Sequence, residues 1–191
     1  MRGRPPVAPR TDARMIRRDH LKGDAASTAL YSDCLTYRYD LTRVWDAGGR
    51  RAAFVMLNPS TATEAANDPT VERCERRARA LGYGAMRVAN VFALRATDPR
   101  VMRAHPEPVG RPENDAAILD AAAWADDVVC AWGAHGAHLG RGSEVEAMLR
   151  AAGHRLGALG LSKGGHPRHP LYVPYAVRPM PWEVGDGSGT P

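Results

Sequence analysis

The stretch AAFVMLNPSTATEAANDPT, residues 52–70, changes character half-way along. Apolar residues from Ala52 to Leu57 stop at the corner Asn58-Pro59-Ser60, and small polar residues follow as far as Asp68-Pro69. A short, unbroken apolar run bounded by turn residues reads as a strand buried on both faces. Asp-Pro reads as a helix start, because the Asp side chain caps free N–H groups and Pro suits the first helical position. The polar stretch between them is either an ordinary strand-to-helix connection or the place where a ligand sits at the strand's end.

Upstream, LTYRYDLTRVW (35–45) sets Tyr37, Tyr39, Leu41 and Trp45 at alternate positions, as in a half-buried strand. The turn-forming DAGGR then leads into the 51–57 strand, so the pair reads as a hairpin. Downstream, a helix runs through TVERCERRARAL to Gly82, and AMRVANVFAL (85–94) is a strand interrupted by Asn90. A proline-rich loop follows. Asn114 or Asp115 opens the next helix, DVVCAWG (127–133) is a strand, and SEVE (143–146) has capping-box spacing. HRLGALGL (154–161) is the last strand, and SKGGHPRHPLY (162–172) is the loop beyond it.

This alternation predicts an α/β fold: three layers, α/β/α, around a central, mainly parallel four-stranded sheet. An N-terminal hairpin strand and a disordered basic arm over residues 1–22 precede it, and residues 23–191 make one domain. The arm holds seven Lys/Arg and two acids, a net +5 that equals the charge of the whole chain. The rest is balanced, so a pI near 9.4 says little about the folded part. Such an arm either holds phosphates non-specifically or is a solvated end.

The three cysteines, Cys34, Cys74 and Cys130, have neither metal-ligand nor redox spacing and read as free thiols. No apolar run reaches membrane-spanning length, and no apolar segment follows Arg17-Arg18. These features place the chain in the cytoplasm, away from membranes. No motif for acyl or phosphoryl transfer is found, and neither a cofactor nor a metal is expected.

In a parallel sheet, ligands bind beyond the carboxyl ends of the strands. Asn58, Asn90, Trp132-Gly133 and the 162–172 loop all fall at such ends. Asn58 and Ser60 offer an amide and a hydroxyl on a stiff corner. Asn90, in an apolar strand, either bonds neighbouring backbone or reads a ligand edge with its donor and acceptor. His169, followed by Pro, either lies in a charged surface loop or donates to a developing anion. Lys163 and Arg168 bring positive charge to the same loop. Asp68 is a tempting general base that capping already explains, and Glu64 is a lesser candidate of the same kind.

Together, MLNPSTATEAANDPT, RVANVFALRATDP, AWG and LSKGGHPRHPLY resemble a bacterial family of unknown function, domain of unknown function 1643. More distantly, the motif order is similar to the uracil-DNA glycosylase superfamily. That resemblance implies a site in which Asn58 positions water, Asn90 reads a base, Phe92 stacks on it, and His169 stabilises the departing base. Ser60, Trp132, Gly133, Lys163 and Arg168 are the expected substrate-binding residues. The expected activity is cleavage of the N-glycosidic bond of a modified base in DNA or a nucleotide. The alternative is a non-catalytic module that binds the same ligand. Asn58 stands where a carboxylate would accept a proton, Ser60 leaves room for a larger base, and Leu171 replaces a small serine.

Overall fold

The apolar run forms most of a strand, Arg50–Met56, in a computed structural model whose described residues run from 15 to 183. Eight strands make one sheet: β1 (Ile16–Lys22), β2 (Ala25–Tyr31), β3 (Arg38–Val44), β4 (Arg50–Met56), β5 (Tyr83–Asn90), β6 (Asp127–Cys130), β7 (Leu156–Ala158) and β8 (Met180–Pro181). Their order across the sheet is β1-β2-β3-β5-β4-β6-β7-β8. The helices are α1 (Pro69–Ala80), α2 (Pro99–Ala104), α3 (Glu113–Trp124) and α4 (Arg141–Ala151).

The expected mainly parallel four-stranded sheet is therefore corrected to an eight-stranded mixed one. Four of its seven pairings are antiparallel, and the three parallel ones join β5, β4, β6 and β7. The arm is corrected too. Ile16–Lys22 is not disordered but the edge strand β1, paired antiparallel with β2. Residues 1–14 of the expected arm lie outside the described residues.

The expected hairpin between β3 and β4 does not form, because β5 lies between them, antiparallel to β3 and parallel to β4. The connection at 45–49 crosses the start of β5 instead of turning back. The N–H groups of Trp45 and Asp46 both donate to Gly84 O, at 3.0 and 2.9 Å. A Cβ on Gly84 would lie 2.2 Å from Asp46 O, so only glycine fits the crossing.

β4 is apolar from Ala52 onward because helices cover both its faces there. Ala52, Phe54 and Met56 pack with Val71, Cys74 and Ala78 of α1. Ala53, Val55 and Leu57 pack with Ile118, Ala121 and Ala122 of α3 and with Val145 and Leu149 of α4. Cys74 and Cys130 are buried free thiols, and burial pushes Cys74 up to about 12. No described helix is long and apolar enough to cross a membrane.

Two caps differ from expectation. α3 begins after Pro112, and Asn114 turns inward to donate to the carbonyls of Asn90 and Val91. α4 already begins at Arg141, so Ser143 sits inside its first turn. At Asp68 the structure follows the sequence: its carboxylate accepts from Thr70 N and Val71 N, with Pro69 next.

The polar loop from Asn58 to Asp68 lies over buried arginines of β3. Arg38 donates to Ala62 O at 2.6 Å, and Arg43 donates to Thr63 O at 2.7 Å and to Asn67 Oδ1 at 3.0 Å. Ser27 Oγ and Tyr31 Oη donate to the backbone carbonyl and the carboxylate of Glu64. Loop carbonyls with no side chain of their own to pair with are thus satisfied from below.

Replacing Arg43 by Met would leave those acceptors buried without donors. The expected loss of stability is about 2–4 kcal/mol, read from urea unfolding. An unchanged midpoint would show that the loop does not depend on the guanidinium.

Candidate functional site

The connections that follow β4, β5, β6 and β7 converge on one cavity of about 530 Å³. Its wall includes Asn58, Ser60 and Asp68 after β4, Thr97 and Pro99 after β5, and Trp132, Gly133 and His135 after β6. Ser162, Arg168, His169, Leu171 and Tyr172 close it from beyond β7. Apolar surface from Leu57, Pro69, Ala96 and Leu171 makes the interior largely apolar, with the polar groups set into it.

The Asn58 amide has a fixed direction. Its Nδ2 lies 3.0 Å from Pro59 O, 3.4 Å from Leu94 O and 2.7 Å from Ala96 O. Three carbonyls can be met only by the NH₂ side, so Oδ1 is left as an acceptor. Ser60 Oγ pairs with Thr97 Oγ1 at 3.3 Å, which ties the two loops together.

His169 is held as a neutral donor. Burial pushes its pKa down to about 4, against the opposing pull of the Asp68 charge. Its Nδ1 accepts from Leu171 N at 3.4 Å, which leaves the proton on Nε2. Gly133 brings the neighbouring loop against it, with φ +70° and its N–H donating to Pro167 O at 2.8 Å. A Cβ on Gly133 would come 3.3 Å from His169 Cβ. Beside it, the Trp132 indole is buried and meets Trp182 edge-on at 5.6 Å.

Asp68 lines the cavity, but its oxygens are occupied by Thr70 N, Val71 N and, at 3.3 Å, Ala62 N. Of the expected site residues, the structure brings together Asn58, Ser60, Asp68, Trp132, Gly133, Arg168 and His169. It leaves out four. Asn90 is fully buried beneath the rim, in register with Met56, and neither its Nδ2 nor its Oδ1 has a partner. Phe92 is in the core against His138, with ring centroids 5.7 Å apart. Glu64 bonds Tyr31 on the far side of the loop, and Lys163 is exposed outside the cavity. Thr97, His135 and Ser162 were not foreseen. Nothing in their local sequence marks them, and only the sheet order brings them to the rim. Among the described residues, no three His, Cys, Asp or Glu side chains gather as a metal would require.

A family model described as "Protein of unknown function (DUF1643)" matches residues 38–171, which is more than half of the chain. The chain belongs to the DUF1643 family. The match begins at the first residue of β3 and ends at residue 171, so the cavity lining lies within the DUF1643 region except for Tyr172. Comparison with curated proteins and with solved structures gave no match.

The His169 environment has a consequence for acid stability. The unfolded imidazole titrates near pH ~6.5, and the folded one at about 4. Between those values the unfolded state binds more protons, so stability rises with pH. The stabilising contribution is complete above the unfolded value and is lost as pH falls toward 4. His169→Gln should therefore flatten the decline of the melting temperature over that window. An identical decline in both proteins would place the titration elsewhere.

Proposed function

We propose that this protein is a glycosylase-like enzyme that hydrolyses the N-glycosidic bond of a modified nucleobase, in nucleic acid or in a nucleotide. The observation that carries the reading is the pairing, in one largely apolar cavity, of an amide acceptor at Asn58 with a neutral imidazole donor at His169. In such hydrolysis the C1′–N bond breaks, and its electron pair leaves on the base. Water adds to C1′, and one of its protons ends on the base or in solvent. Charge therefore develops with opposite signs at the two ends of the breaking bond, and groups placed to meet each charge favour the transition state.

Here Asn58 Oδ1 accepts from the attacking water, and His169 Nε2–H donates to the departing base. Ser60 is small and leaves space for a substituent on the ring. The order of the motifs, similar to that of the uracil-DNA glycosylase superfamily, adds support. Asn90 and Phe92 have no part in this reading, since both lie outside the cavity lining.

One observation favours a second reading, a module that binds the same ligand without turnover. Asp68 is the acid in the cavity wall, and backbone N–H groups already occupy both its oxygens. A water held by Asn58 alone has no strong proton acceptor.

The test is chromatographic detection of free base from a panel of modified nucleosides, nucleotides and oligonucleotides. Release is expected from at least one, with His169→Ala slower by about 10²–10³-fold. The rate should stay level from neutral pH down to about pH 5 as far as His169 is concerned, because its imidazole is still neutral there. Tight binding without release selects the second reading, and neither release nor binding overturns both.

A further inference from the structure

Just outside the cavity the chain keeps two aromatic rings in the open. Tyr172, at the mouth, is 75% exposed, and Tyr175, one turn of loop further on, is 47% exposed. This loop is fastened from beneath. Arg77 of α1 is buried. Its Nη1 donates to Pro174 O, Tyr175 O and Val177 O at 3.3, 3.1 and 2.9 Å, and its Nη2 donates to Val173 O at 3.1 Å and Pro174 O at 3.2 Å. A guanidinium whose donors go to backbone carbonyls fixes the path of the chain, while the tyrosines it carries stay in water.

Positive charge is set against the rings. Arg73 Cζ lies over the Tyr175 ring, 4.9 Å from its centroid, and Arg77 Cζ lies over the same ring at 5.5 Å; no carboxylate pairs with Arg73 among the described residues. Arg168, exposed, stands on the cavity wall at the same mouth. The Tyr172 ring lies 6.0 Å from that of His169, so the stripe is continuous with the donor inside.

We propose that Tyr172 and Tyr175 are a stacking platform for the nucleotides next to the one held in the cavity, so that the substrate is single-stranded nucleic acid. This rests on the reading of the cavity given above. Stacking on successive aromatic side chains suits unpaired bases, whose faces are free, and the neighbouring arginines meet the phosphates. In a duplex those faces are already stacked, and the target base would first have to be turned out. A free nucleotide has no neighbours to reach the tyrosines.

The experiment measures binding, which does not require turnover. The full chain is titrated into a fluorescein-labelled, unmodified pyrimidine single strand and into the matching duplex, with a nucleoside monophosphate as competitor. The single strand should bind more tightly than the duplex. Tyr175→Ala and Arg73→Ala should each weaken single-strand binding about 10-fold, with unchanged melting temperature and unchanged competition by the monophosphate. Equal single-strand binding by the wild type and Tyr175→Ala, or a preference for duplex, overturns the platform. Base release from free nucleotides without any single-strand preference sinks the platform and leaves the cavity reading standing. Tyr175-dependent strand binding with no base release from any substrate sinks the catalytic reading, selects the binding module and leaves the platform.

Discussion

A stretch of backbone can be laid across a sheet only if something beneath it supplies hydrogen bonds. Here that supply is the guanidinium. Arg38 and Arg43 reach up from β3 into the carbonyls of the 58–68 loop, and Arg141 donates through Nε to Val91 O at 2.8 Å where β5 ends. Arg38 is buried deeply enough that desolvation pulls its pKa down to about 10, still far above neutrality. A buried cation is costly unless its donors are used. The carbonyls that need them belong to irregular segments that no ladder can satisfy. The Nη groups of Arg38 and Arg43 meet them, while the Nε of each has no partner among the described residues.

The cavity inherits its shape from that arrangement. The loop after β4 is pinned from below, so Asn58 can turn its NH₂ inward and its oxygen outward. The loop after β6 is pressed toward His169 through Gly133 and is backed by Trp132, whose ring leaves no room beside Gly136 and Gly142. A Cβ at those two positions would lie 2.1 and 2.8 Å from indole atoms. The wall is thus built by large rings set against missing side chains, a close fit of the kind that interior packing requires.

Much of this was readable in the sequence where local chemistry and global need coincide. The unbroken apolar run of β4 reports burial on both faces, and Asp68-Pro69 reports the start of α1. The convergence of Asn58 and His169 followed from placing both at strand ends. The sheet order was not readable. Asp46-Ala47-Gly48-Gly49 has the composition of a hairpin turn, but its glycines serve a crossing over Gly84 that exists only in three dimensions. β1 has arginines on both sides and little burial, so its sequence carries no alternation, and its place comes from pairing with β2. Asn90 sits at a strand end like Asn58, yet it points into the interior. Asn90 is the last residue of β5, whereas Asn58 lies two residues past the end of β4, and periodicity does not fix such limits.

The two margins of the sheet are finished differently. On one side β1, at the border of the sheet among the described residues, is crowded with Arg17, Arg18, His20 and Lys22. On the other, β8 is two residues long, contains Pro181 and follows Pro179, and neither proline has an N–H to give. Charge at one border and missing donors at the other both discourage a foreign strand from joining. Both borders of the sheet thus carry features that oppose edge-to-edge association.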